Sequence, residues 1–219
     1  MSSIVESWDE AEHRLQGLAR SEDVQVLAAA NGSSTIVVDG VLLHSKYDPQ
    51  REAGRLVGAQ GTSFGGTIIV YGAGLGHHLR EILNRGAERL IVVEARAEVA
   101  KAFFETAIVD KPQQCLFFIG RDPSDIAKDP AFLEAVRGGT LPFRHPASVR
   151  LAASYYELLD AEAHKALSSQ RRWNIAVVSP LYGGSLPTSR YVADALTSMG
   201  HRVDFIDNSI YYDAYKSVD

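Results

Sequence analysis

Residues 68–95 read IIVYGAGLGHHLREILNRGAERLIVVEA, and this stretch decides the fold. An apolar run, Ile68–Tyr71, is followed by glycines at 72, 74 and 76. A helical pattern begins at His77, and a second apolar run, Arg89–Glu94, ends in an acid. Two near-continuous apolar strands flanking a helix predict a βαβ unit in a parallel sheet covered on both faces. Small residues at the turn let the backbone bend sharply and let a ligand come close. The free amides and dipole of the following helix favour an anion there. Glu94, 22 positions beyond Gly72, is placed to meet ribose hydroxyls. Gly72, Gly74, Gly76, His77 and Glu94 are therefore candidate nucleotide-binding residues, the alternative being glycines that serve only tight strand–helix packing.

The same alternation continues outward. Strands are expected at TIIVYG, RLIVVE, CLFFIG and GTLPFR, with helices around His77–Arg85, Glu98–Phe104, Ile126–Val136 and Ala147–Leu167. The fold class is α/β: a Rossmann-like, mostly parallel sheet with helices on both faces. Upstream, Ser7-Trp8-Asp9-Glu10 has the form of a capping box opening a helix to about residue 20. Asp39-Gly40, between two β-rich runs, predicts a type I′ hairpin turn. Asp48-Pro49 predicts a second helix start. Downstream, SSQRRW reads as a linker, and NIAVVSP, GGSLP, SRYVADALTSMG and HRVDFID form a fresh strand–loop–helix–strand. The expected organisation is a helix and hairpin segment over 1–60, a Rossmann-like domain over 61–168, and an incomplete βαβ start over 173–219. One βαβ unit cannot bury both faces of a sheet, so either it extends the first sheet or, as is expected here, the chain stops short of a second domain.

Composition narrows the function classes. The chain has 219 residues, 46% hydrophobic and 22% charged, with net charge −5. Without a basic excess, nucleic acid is a poor partner. No apolar run approaches the roughly 20 residues that span a bilayer. The acidic N-terminus is not a secretory signal, so a cytoplasmic protein is the default expectation. The lone cysteine, Cys115, precludes an internal disulfide and reads as buried strand.

Further residues carry candidate chemistry. His77 and His78 are adjacent on a helix and point about 100° apart, so with no third ligand evident they are weak metal ligands, and no metal is expected. Arg144, after the presumed fourth strand, sits at the sheet edge where open α/β sheets bind ligands. It could pair with a phosphate or form a surface salt bridge. Gly183, Gly184 and Ser185 could cradle an acceptor or phosphate, or form an ordinary βα loop. His44 and Tyr47 could fold over the carboxyl edge of the sheet and close the crevice. The GxGxG spacing resembles the first motif of S-adenosylmethionine-dependent methyltransferases, although Val70 stands where those usually carry an acid. Asp122 lies where such enzymes often contact adenine.

A second resemblance covers most of residues 36–215. Leu42-Leu43-His44-Ser45-Lys46-Tyr47-Asp48-Pro49, then Arg51-Glu52-Ala53, resembles a segment that precedes a glycine-rich turn in two related groups. These are the motility-associated factor (Maf) family, linked to flagellin glycosylation, and the CgeB-like glycosyltransferases. IAVVSPLYGGSLPTSRYVADALTSMGHRVDFID is similar to the opening of the glycosyltransferase domain in CgeB-like proteins. The resemblance implies the N-terminal part of a bacterial GT-B-type sugar-transfer protein. Its partners would be a nucleotide-activated sugar and a protein or glycan acceptor, with no catalytic residue assignable and a homo-oligomer allowed. Two alternatives stay open: a methyltransferase-like protein binding S-adenosylmethionine, and a non-catalytic binding or assembly module whose crevice is filled by its own side chains.

Overall fold

The computed structural model describes residues 4–19, 21–170, 173–179 and 188–208. In chain order the elements are β1 (Glu6–Ser7), α1 (Trp8–Gln16), β2 (Val24–Ala28), β3 (Ser34–Val38), β4 (Val41–Leu42) and α2 (Pro49–Gly58). Then come β5 (Thr67–Tyr71), α3 (His77–Asn84), β6 (Arg89–Glu94), α4 (Ala97–Thr106), β7 (Cys115–Ile119), α5 (Pro123–Ile126), α6 (Pro130–Arg137) and β8 (Phe143–Arg144). The last are α7 (Pro146–Leu151), α8 (Ala153–Gln170), β9 (Asn174–Ser179), α9 (Thr188–Ser198) and β10 (Arg202–Asp207). The chain divides into two compact units, Met1–His164 and Lys165–Asp219.

The central sheet of the first unit has the order β1-β7-β6-β5-β8. All its pairings are parallel except β1 with β7. Chain order reverses between β5 and β8, so the topological switch point lies beyond Tyr71 and Arg144, which are register partners. Alternate residues of each strand feed opposite faces. Val70, Val92 and Phe117 pack with Leu15, Leu79 and Phe103 on one face. Ile69, Ile91, Val93 and Phe118 pack with Ile126, Phe132 and Leu159 on the other. Each such fully buried aliphatic or aromatic side chain contributes roughly 1.5–3 kcal/mol, so the two-faced core explains why these strands are apolar throughout. Cys115 is a buried free cysteine on β7.

The N-terminal segment belongs to this same unit. Its antiparallel sheet, β2-β3-β4, packs Ile36, Val38 and Leu43 against Leu75, Val99 and Ala102. The hairpin falls at Asp39-Gly40 as expected, both with positive φ. Strand β2 and the two-residue β1 were not anticipated from sequence. The Ser7 capping box is present, but α1 ends at Gln16, earlier than expected. The helix expected over Ile126–Val136 is two helices. Pro130 excludes the α conformation at Asp129, which instead caps α6 through its side chain. The helix expected over Ala147–Leu167 is likewise α7 and α8, parted at Ala152 (φ −127°, ψ 47°).

In the second unit β9 and β10 pair in parallel from Asn174↔Arg202 to Ser179↔Asp207, with α9 between them in sequence. This is the expected βαβ unit. No helix among the described residues is long and apolar enough to cross a membrane.

Candidate functional site

The glycine turn leaves β5 and enters α3 at the switch point. Gly72, Gly74 and Gly76 all have positive φ, at 87°, 50° and 91°. Their missing side chains are needed by neighbours in the protein. A Cβ on Gly72 would overlap the Ser148 side chain, and one on Gly74 would overlap the His44 imidazole. A Cβ on Gly76 would stand 2.6 Å from both the Phe103 ring and a Val109 methyl. The amides of the turn are also engaged. Leu75 N–H donates to His44 Nε2 at 2.8 Å, and Ala73 N–H donates to Glu94 Oε2 at 2.8 Å.

Glu94 is 3% exposed and turns inward. Its other oxygen, Oε1, accepts the Arg96 N–H at 3.0 Å, so both carboxylate oxygens tie β6 to the turn and its own chain. Burial pushes the carboxyl up to about 7, against the opposing pull of the Arg96, Ala73 and Gly74 amides and the Arg96 charge. A ribose at this residue would have to displace those backbone donors. Asp122 is an N-cap, accepting Ser124 N–H at 2.8 Å at the start of α5, and its capping bonds hold its carboxyl below the ordinary range.

Four histidines converge beneath the turn. His44 comes from the segment between β4 and α2, His77 and His78 from the first turn of α3, and His145 from the N-cap of α7. All four are buried. The His78 and His145 rings stack at 4.4 Å, and His44 lies 4.9 Å from His145 and 5.0 Å from His77. The carbonyl of Gly72 can only accept, so His78 Nε2 donates to it, at 2.9 Å, and His78 Nδ1 is bare. By the same reasoning His77 Nε2 donates to Ser34 O at 2.8 Å. Leu75 N–H can only donate, so His44 carries its proton on Nδ1. His145 Nδ1 pairs with Ser148 Oγ at 2.7 Å. Burial, then the neighbouring imidazoles, hold His44 and His145 well below the ordinary histidine range, and burial lowers His78 to about 4.

Beside this cluster lies a cleft of about 480 Å³. Its walls include His44, Lys46, Tyr47, His145 and Arg150, with Glu52 at one side. Glu52 Oε2 accepts Ser45 N–H at 2.6 Å, and Ser45 Oγ accepts Tyr47 and Asp48 N–H, both at 3.2 Å. Asp48 Oδ1 caps α2 through Arg51 N–H at 2.9 Å and accepts from Asn31 at the same distance. These bonds hold the HSKYDP segment as a rigid wall. Tyr47 is 65% exposed, and Lys46 Nζ stands 5.0 Å from its ring.

The structure thus brings His44, Gly72, Gly74, Gly76 and His77 together, with Tyr47 at the adjacent cleft. Arg144 is not among the cleft walls: it ion-pairs with Asp160, and its guanidinium lies over the Tyr71 ring at 5.0 Å. Gly183, Gly184 and Ser185 lie outside the described residues. Sequence reasoning passed over Lys46, His145, Ser148 and Arg150. Lys46 sits inside the HSKYDP segment, and Arg150 lies one turn into a helix that starts at the sheet edge, so position was the available signal. No protein-family model matches the chain, and no curated protein matches it.

Proposed function

We propose that this chain is the N-terminal part of a CgeB/Maf-like glycosyltransferase, acting on a protein or envelope glycan, and that its anionic ligand site is the HSKYDP cleft. The glycine turn serves as a structural clasp. The observation that carries this reading is the cleft itself. It opens at the switch point, next to a turn plugged by His44, and it carries Lys46 and Arg150 with an exposed tyrosine. Two cations suit a diphosphate, and an exposed aromatic face suits a sugar or base. The facing second half of a GT-B enzyme and the base for the acceptor hydroxyl belong to the proposal, and no residue here is assigned to that base.

A non-catalytic binding or assembly module is the second reading, favoured by one specific observation: the protein's own side chains fill the space over all three glycines. Calorimetry and thermal shift with UDP, GDP, CMP, NAD and S-adenosylmethionine separate the readings. Ligand at 100 times its dissociation constant adds about 2.7 kcal/mol. A nucleotide shift that disappears in Lys46→Ala and Arg150→Ala supports the cleft. A shift with S-adenosylmethionine alone, lost in Glu94→Gln, supports methyl transfer. No shift with any of them leaves the module.

A further inference from the structure

We propose that His44, His78 and His145 form a binding site for a divalent transition-metal ion of the zinc class at the floor of the cleft. Each of the three offers a ring nitrogen, and these atoms lie within 4.8 Å of one another. They arrive from three separate chain segments, so their convergence is a product of the tertiary fold rather than of helical spacing. Adjacent His77 directs Nε2 at Ser34 O, and its Nδ1, also buried without a partner, does not join the three converging nitrogens.

An independent observation points to a missing partner. His78 Nδ1 is buried, bare of hydrogen and without a hydrogen-bond partner. An unsatisfied buried acceptor is unfavourable by itself. Its other nitrogen is fixed by the Gly72 carbonyl, the arrangement in which a backbone oxygen sets the tautomer and orientation of a metal-binding imidazole. Ser148 Oγ holds His145 in a comparable way through Nδ1. Imidazole nitrogens bind zinc-class ions in the neutral form, which is the form that burial enforces here. His44 and His145 both line the cleft, so three protein ligands would leave a fourth position open to water or a ligand oxygen from that side.

The triad stands wider than a loaded site. Two nitrogens each about 2.0–2.1 Å from zinc are held roughly 3.3 Å apart in a tetrahedral arrangement. Loading therefore draws the nitrogens inward and tilts the parallel His78 and His145 rings, now 3° apart in plane. It also has a specific consequence for His44. Its Nε2 lone pair is engaged by Leu75 N–H. Coordination through Nε2 removes that acceptor, and coordination through Nδ1 moves the proton to Nε2, so either route breaks the Leu75 bond.

The test is titration of the metal-free 219-residue chain with Co²⁺, read by visible absorption, with Zn²⁺ competition and amide NMR at Leu75. The expected result is one Co²⁺ per chain with the intense absorption of a tetrahedral nitrogen site, displaced by Zn²⁺, and a shifted Leu75 amide. His78→Gln and His145→Gln should weaken binding by at least about 100-fold, the upper end of what loss of a mere orienting partner does. Exposed His13→Gln should leave it unchanged. Only weak octahedral absorption, an unmoved Leu75 amide, or equal binding in His78→Gln overturns the site. Should both variants misfold, the wild-type spectrum and the Leu75 amide decide alone.

Discussion

The glycine turn and the cleft beside it sit at one switch point, yet they are physically opposite. At the turn, space is already taken: Ser148, His44 and Phe103 occupy what each glycine leaves free, and Leu75 and Ala73 have their amides satisfied from inside. At the cleft, about 480 Å³ is open and the wall carries cations. A glycine pattern in the correct topological place therefore reports that something approaches the backbone closely. Whether that something is a ligand or the protein's own histidine depends on residues far away in sequence. Here the HSKYDP segment and the glycine turn, separate blocks in the sequence, meet in one contact between His44 and Gly74–Leu75.

The most direct way to break this contrast is to add a methyl group to the turn. Gly72→Ala places a Cβ into Ser148 at a φ of 87°, and the Ser148 Cβ is fixed to α7. Overpacking of about 1–3 kcal/mol adds to roughly 1–2 kcal/mol for the left-handed backbone, so a loss of about 2–5 kcal/mol is expected in urea denaturation. Gly72→Ala combined with Ser148→Gly should recover part of it. A turn that a ligand normally fills would instead show only the roughly 1–2 kcal/mol of the left-handed backbone in the free protein, together with lost binding. A loss in Gly72→Ala no larger than that backbone cost, with no recovery from Ser148→Gly, would thus overturn the clasp.

Glu94 sharpens the same comparison through pH. Its folded carboxyl titrates at about 7 against an ordinary 4.5, so the folded state keeps its proton where the unfolded chain has lost it. The stabilising contribution is full below 4.5 and is lost as pH rises through 7. A shift of this size corresponds to about 3 kcal/mol across that window. Glu94→Gln cannot titrate, so wild type should lose about that much more than the variant between pH 5 and pH 8. Histidine contributions run in the opposite direction but cancel in the difference between the two proteins. Parallel stability profiles would mean that Glu94 stays ionised, as a solvated ribose-binding carboxylate would.

Much of the fold was legible because the period of the strands survives both local and tertiary tests. The apolar runs at 67–71, 89–94 and 115–119 are strands, Asp39-Gly40 is the hairpin, and Ser7 and Asp48 cap their helices. Strand β2 was hidden because Val26 and Leu27 are exposed in a strand whose buried-face signal is weak. The site was legible only in pieces. His44 and His78 stood out and His145 did not, and nothing in spacing says that residues 34 and 67 positions apart share one pocket. The inward turn of Glu94 was equally invisible, since a strand-end acid looks the same whether it meets a ribose or the amides of its own turn.

Asp48 tests how rigid the cleft wall is. Asp48→Ala removes the α2 cap and the acceptor for Asn31, for an expected loss of about 0.5–2 kcal/mol in thermal or urea unfolding. Because Tyr47 and Lys46 hang on the segment ending at this cap, ligand affinity at the cleft should fall with it, while Leu75 keeps its bond to His44.

The smallest expected effect on stability is at the cleft cations, and it separates the two regions most cleanly. Lys46 and Arg150 are both exposed, so Lys46→Ala and Arg150→Ala should each move stability by no more than about 0.5 kcal/mol. If the cleft takes a phosphorylated ligand, the same changes abolish its thermal shift and flatten the salt dependence of binding, because the attraction they supply is screened over about 10 Å at 0.1 M salt. Gly72→Ala should do the reverse, destabilising the protein heavily while leaving the cleft chemistry of whatever remains folded unchanged. Substitutions that are silent for folding and decisive for binding would place recognition at Lys46 and Arg150. A ligand shift that survives both alanines but is lost in Glu94→Gln would return it to the glycine turn.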